Sequence, residues 1–385
     1  MKVEQNISRL KQLLRMYRLT IQEFLVLISE GLKKPISQEE IFSQEIKISY
    51  LKRIDKIFEK GLHYYLDPKA PEKSKEASVF FRKQNFATEN LNIGAIKIVN
   101  QFEELKLSLS AIAKLSDLSF KREIPKYSVT NNPKEVAARI RDILYPSFNS
   151  NRREFLKGLI SKFAEHNILV FEFIETWNKK NKANIDGFFL KPNMIVLKRH
   201  PAFRREIFTL AHELGHFLLE EEEIEQLDYQ NIARDNLTTL ERWCNDFAYY
   251  FLAGDYSSTI DTLEQASKKN DYHFNLIKKI SENTHLSQIA LFTRLLYQNK
   301  ISKSSYQNVK KDFEEKLKKW EEEKERKKQL LKELGIKQKG MVAKPIPSPL
   351  FISTIQTAYY EGILNEYEVY KKLKIKPEKL EEYIQ

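Results

Sequence analysis

Apolar residues recur at helical spacing through most of the chain and at strand spacing in one short stretch. Leu10, Leu13, Leu14 and Tyr17 form a first stripe at i, i+3, i+4 and i+7. Thr20-Ile21-Gln22-Glu23 has the form of a capping box, in which the Thr hydroxyl accepts from the N–H three residues on and the Glu reaches back. Ser37-Gln38-Glu39-Glu40 repeats the device after Lys34-Pro35, so another helix starts there. Leu51, Ile54, Ile57 and Phe58 mark a third stripe that ends at Gly61. Residues 1–66 are thus expected to form a small bundle of short, capped helices of helix-turn-helix type. The Pro- and Lys-rich stretch 67–75 reads as a linker, and helical periodicity resumes over 88–116. Asn131-Asn132-Pro133 marks a boundary, with helices expected over 135–144 and 153–163.

The period changes at Ile168. The run 168–174 (ILVFEFI) is a strand candidate, followed by 186–190 and 194–197 around the turn Lys191-Pro192-Asn193. These strands lead directly into a long apolar helical run over 203–219. Further helices are expected over 237–252, 272–281 and 287–298. Residues 309–334 alternate Lys and Glu around sparse apolar points and read as an exposed, salt-bridge-laced helix. After a break at 340–349 a last helical piece covers 351–373 and on toward residue 384. The pattern divides the chain into a helical bundle (1–66), a linker with connecting helices (67–133), a mixed domain (134–300) and a charged helix with a helical extension (301–385). No internal repeat is present.

Composition narrows this picture. With 385 residues, two or three domains are expected, and 42% hydrophobic residues suffice for real cores. Ten Gly and 12 Pro are few for this length, which disfavours a turn-rich all-β architecture. The one cysteine, Cys244, rules out a disulfide framework within the chain and fits a reducing cytoplasm. No apolar run approaches the ~18 residues of a membrane span. Lys and Arg (65) exceed Asp and Glu (53), a net +12 that permits contact with nucleic acid without requiring it.

The chemistry is concentrated in His212-Glu213-Leu214-Gly215-His216. On a helix, positions i and i+4 share a face, so two imidazoles at this spacing can bind one Zn²⁺. Glu213 can reach a water on the zinc without being a ligand, take its proton during attack on a peptide carbonyl, and pass a proton to the leaving amine. The plain alternative is a surface stripe with two incidental histidines. Against it stand the apolar neighbours Phe203, Ile207, Leu210, Ala211, Leu214, Phe217 and Leu218, among which two His and a Glu need partners. A zinc site needs a third protein ligand, and no third His follows closely; the next are His273 and His285. Candidates are the Glu220–Glu223 run, Asp228, Asp235, Glu241 and Asp246. Glu241 opens a second apolar helix and would complete a His₂Glu set, with Asn245 at i+4 placed to orient the ligands; spacing alone leaves the rivals open.

The stretch Phe208-Thr209-Leu210-Ala211-His212-Glu213-Leu214-Gly215-His216, with Glu241-Arg242-Trp243-Cys244-Asn245-Asp246-Phe247-Ala248 downstream, resembles the ImmA/IrrE family of bacterial and phage metallo-endopeptidases. Asp186-Gly187-Phe188-Phe189 and Met194-Ile195-Val196-Leu197 are similar too, so the resemblance spans roughly residues 135–300. It implies His212, His216 and Glu241 as zinc ligands and Glu213 as general base. It also implies a substrate class, a helix-turn-helix repressor whose cleavage switches on stress or mobile-element genes. Ser78-Val79-Phe80-Phe81-Arg82-Lys83 and Lys97-Ile98-Val99-Asn100-Gln101-Phe102-Glu103 look like members that fuse a helix-turn-helix region to the peptidase. The expected fold is then α+β and mostly helical. A zincin-like peptidase domain, with a small sheet and the motif helix, is flanked by helical N- and C-terminal regions. The second reading is a DNA-binding regulator or antitoxin in which the peptidase fold serves structure.

Other features carry bland alternatives. The strand at 194–197 is a candidate edge for holding an extended substrate, or an internal strand. Arg204 and Arg205 could stabilise an oxyanion, or lie at the surface of a helix start. Tyr249 and Tyr250 could reach the reacting group or pack in the core. Cys244 reads as a packed thiol, the Lys-rich helix at 310–328 as a solvated face, and 287–296 as packing.

Overall fold

The computed structural model describes residues 1–17, 19–58, 60–70, 91–175, 182–222, 237–334 and 344–381. The linker residues 71–75, the segment 78–83 and the candidate ligands Glu223, Asp228 and Asp235 lie outside the described residues. The protein is α+β and mostly helical, and its chain divides into two units: 1–105 with 180–184, and 106–179 with 185–385.

In the first unit, helices Ile7–Met16, Ile21–Ser29, Gln38–Ile41 and Ile48–Phe58 arise where the apolar stripes place them. Both capping boxes form, at Thr20 with Glu23 and at Ser37 with Glu40. Leu10, Leu13, Phe24, Ile28, Ile54 and Phe58 fill the centre, with the Phe58 ring 4.8 Å from Tyr17 and 5.8 Å from Phe24. Strands β1 (Lys2–Glu4) and β2 (Glu45–Lys47) pair antiparallel, with Val3 opposite Ile46. Three residues carry too little alternation to announce a strand in sequence.

In the second unit, β3 (Leu169–Phe173), β4 (Gly187–Leu190) and β5 (Met194–Lys198) form one sheet in the order β3-β5-β4. β5 is parallel to β3 and antiparallel to β4. The proposed substrate edge at 194–197 is therefore corrected: β5 is hydrogen-bonded on both sides, and β3 and β4 are the outer strands. That helix, Phe203–Leu219, matches the sequence expectation and is here called the motif helix. A second site helix, Thr239–Ala253, packs along it. Ile195 and Leu197 of β5, Leu210 and Leu214 of the motif helix and Phe247 and Phe251 of the second helix share one apolar core. Ile346, from the segment before helix Pro349–Tyr360, reaches the same core, and its N–H donates to Glu172 on β3 (2.5 Å). The expected single piece over 351–373 is two helices, Pro349–Tyr360 and Glu366–Leu373, the second opened by an Asn365 capping box. Helix Lys303–Glu333 is exposed along most of its length and carries pairs such as Lys310–Glu314, as its charge pattern predicts. Among the described residues, no helix is long and apolar enough to cross a membrane.

Candidate metal centre

From Glu206 to Leu219 every residue of the motif helix except Phe208 is buried. A helix enclosed in this way cannot leave polar side chains to water, so each must find a partner. His212 and His216 stand one turn apart on one face, with their Nε2 atoms 3.1 Å from each other. The second site helix brings the third group. Thr238 Oγ1 caps it by accepting from the Glu241 N–H (3.1 Å), which fixes Glu241 in the first turn. Glu241 Oε2 lies 3.2 Å from His212 Nε2 and Oε1 lies 3.1 Å from His216 Nε2. All three side chains are buried, and one ligand atom from each falls within 4.8 Å of the other two. Two imidazole nitrogens and a carboxylate oxygen converging in this way form a donor set suited to a divalent cation, with a coordination position to spare.

The other ring nitrogens are engaged from behind. His212 Nδ1 faces Asn245 Oδ1 at 3.1 Å, and His216 Nδ1 faces the Glu221 carbonyl at 3.2 Å. Each acceptor takes an Nδ1–H and so leaves the Nε2 lone pair for the centre. Burial pushes Glu241 up, but His212 and His216 outweigh it and hold the carboxyl well below its usual range, so it stays anionic. Glu213 is also buried, and its Oε2 has no hydrogen-bond partner; burial pushes its carboxyl up to about 7. A buried carboxylate oxygen without a partner, beside three converging donors, suits a site built for a cation and a water. The residues present fit the group.

Two glycines let the elements close on this centre. A Cβ on Gly215 would lie 3.1 Å from Cys244 Sγ and 3.2 Å from Cys244 Cα, so the bare backbone sets how near the second helix comes. A Cβ on Gly187 would meet Thr209 Cγ2 at 2.6 Å and Glu213 Cγ at 3.3 Å, so β4 starts directly over the acid. The sequence reasoning singled out neither glycine as part of the site. It also missed the Glu221 carbonyl, because a main-chain acceptor has no residue signature.

Three rival ligands among the described residues are occupied elsewhere. Glu220 pairs with Lys126 (2.8 Å) and Arg122 (3.5 Å), Glu222 accepts from the Lys191 N–H (2.7 Å), and Asp246 pairs with Arg294. Arg204 donates to the Ser281 carbonyl (2.9 Å) and Arg205 to Asp186 (2.8 Å). Tyr250 accepts from Arg294 (2.7 Å), and Tyr249 is buried beneath the same guanidinium. Cys244 is a packed thiol, pushed up to about 11 by burial.

Residues 163–255 match the family model of the IrrE N-terminal-like domain, a peptidase family. The matched stretch holds β3 to β5, both site helices and every side chain of the cluster. Together, the match and the buried His-His-Glu group support a metallopeptidase in this part of the chain. No curated protein and no solved structure matches the chain.

Proposed function

We propose that the chain is a zinc-dependent endopeptidase that makes a limited cut in a helix-turn-helix repressor or a similar regulatory protein. The observation that carries this reading is the buried convergence of His212, His216 and Glu241 beside the unpartnered Glu213 oxygen. The three side chains would hold the zinc, with Asn245 and the Glu221 carbonyl fixing both imidazoles. The metal supplies Lewis-acid polarisation of the scissile carbonyl and a water that ionises near neutral pH. Glu213 Oε2 accepts the proton of the attacking water and delivers it to the leaving amine. Apolar neighbours such as Leu210 and Leu214 keep bulk water from the back of the site. The repressor as substrate rests on the family resemblance, with cytoplasmic stress or mobile-element regulation as its setting.

Glu213→Gln tests the mechanism. The variant is expected to retain one zinc per chain by elemental analysis and to lose all cleavage of a helix-turn-helix repressor that the wild type cuts. Undiminished cleavage would remove Glu213 from the chemistry.

The second reading, a DNA-binding regulator, is supported by helix Ile48–Phe58. Ser49, Lys52 and Lys56 stand exposed on it at i, i+3 and i+7, a spacing suited to a helix lying against a duplex. Gel-shift titration of the full chain at rising salt tests it. Sequence-selective, salt-sensitive binding is expected, and its absence would leave the first unit without a DNA role.

A further inference from the structure

The last turn of the motif helix, which follows the second histidine, is tied down by a segment that lies outside the matched stretch. Helix ends leave backbone carbonyls without intrahelical partners. Here Arg122 donates to two carbonyls of the last turn: Nη1 to Phe217 (3.0 Å), which also accepts from the Glu220 N–H (3.1 Å), and Nη2 to Leu218 (3.3 Å). Its Nε donates back to its own segment at the Ile124 carbonyl (2.7 Å), and its guanidinium lies 4.1 Å from the Phe217 ring centroid. The Tyr127 N–H adds a second bond to the Leu218 carbonyl (2.9 Å).

The chain then turns at Glu220, which adopts the left-handed conformation (φ 53°, ψ 43°). The left-handed region is strained for a residue with a Cβ, so the turn needs outside support. Arg122 and Lys126 supply it by pairing with the Glu220 carboxylate. The turn returns the Glu221 N–H to the His216 carbonyl (3.0 Å) and sets the Glu221 carbonyl against His216 Nδ1. Thus one guanidinium grips the two carbonyls before the turn and the side chain within it, and the turn presents the acceptor that orients a ligand.

We infer that Arg122 is a positioning residue for the metal centre, acting on His216 through the left-handed turn at Glu220 and the Glu221 carbonyl. The inference rests on reading His212, His216 and Glu241 as a metal site. A helix cap of purely structural role would alter stability alone; a positioning role alters how the folded protein holds the metal.

The test uses the full chain stripped of metal, with Zn²⁺ affinity measured by chelator competition, the visible spectrum of the Co²⁺ form, and thermal melts of the metal-free protein. Arg122→Met keeps much of the stem and removes the donors; its Zn²⁺ affinity is expected to fall about tenfold, with shifted Co²⁺ bands. Arg122→Lys keeps the charge and one donor head, and is expected to restore most of the affinity, with a residual loss of a few-fold; it carries the test alone if the Met variant does not fold. Wild-type affinity and an unchanged Co²⁺ spectrum in the folded variants, whatever the change in melting, would overturn the positioning role and leave the metal centre standing. A wild-type chain that takes up neither Zn²⁺ nor Co²⁺ would overturn the metal-centre reading itself, and this inference with it.

Discussion

Each polar residue around the centre has a task that its neighbours enforce. Asn245 is the sharpest case, since its Oδ1 is the acceptor facing His212 Nδ1. Replacing it with Leu keeps the shape and removes the acceptor, which frees the imidazole to change tautomer or rotate. Outer partners of metal-binding histidines are typically worth about 10–100-fold in metal affinity, and a loss of at least about tenfold is expected for Asn245→Leu. Chelator competition measures it, and an unaltered affinity would show that His212 needs no such support. At this scale the sequence was informative. The spacing His212, Glu213, His216 and the i+4 relation of Asn245 to Glu241 are properties of a helix wherever it lies. Choosing Glu241 over Asp246 was beyond spacing, because both are carboxylates on the same helix. Only packing shows that Arg294 claims Asp246 and that the imidazoles face Glu241.

Between elements, the absence of side chains sets the distances. β4 meets the motif helix at Gly187, where an added Cβ would fall 2.6 Å from Thr209 Cγ2. Gly187→Ala is expected to cost about 2 kcal/mol, within the usual range for overpacking a core. Thr209→Ser removes the nearest clash but leaves the Val196 carbonyl oxygen at 3.1 Å, so the double variant should regain part of that loss; urea unfolding of the four proteins in the cycle measures the coupling. Additive losses would mean that the strand yields elsewhere. Helix and strand positions were largely legible, because each depends on a local period: the motif helix and the strands at 169–173, 187–190 and 194–198 fall where the pattern places them. The order of the strands was not. β5 reads like β3, a short apolar run, and nothing local tells a central strand from an edge. Its central place follows from pairing with β3 on one side and β4 on the other.

For the whole molecule, stability responds to pH through a histidine remote from the centre in role. His285 is 1% exposed, donates its Nε2–H to the Asn149 carbonyl (2.8 Å) and stacks on Phe148 at 4.9 Å. Burial lowers its pKa to about 4, against an ordinary value near 6.5. Above pH 6.5 both folded and unfolded chains hold it neutral, and its effect on stability is constant. Between pH 6.5 and 4 the unfolded chain binds a proton that the folded chain refuses, so stability falls as pH drops, by at most about 3 kcal/mol. Urea midpoints at pH 7.5 and 5.0 check this: the wild type should lose more between them than His285→Gln. An equal loss would assign the acid sensitivity to other groups.

By itself the sequence determined the periodic elements, the capped helix starts, the lone thiol and the pair of imidazoles one turn apart, because each is written in near neighbours along the chain. Tertiary structure alone decided which carboxylate faces those imidazoles, which strand lies at the centre of the sheet, and that Arg122 and the Glu221 carbonyl stand behind His216. Those relations join residues far apart in sequence or use backbone atoms that every residue has, and only a folded chain brings them within hydrogen-bonding reach.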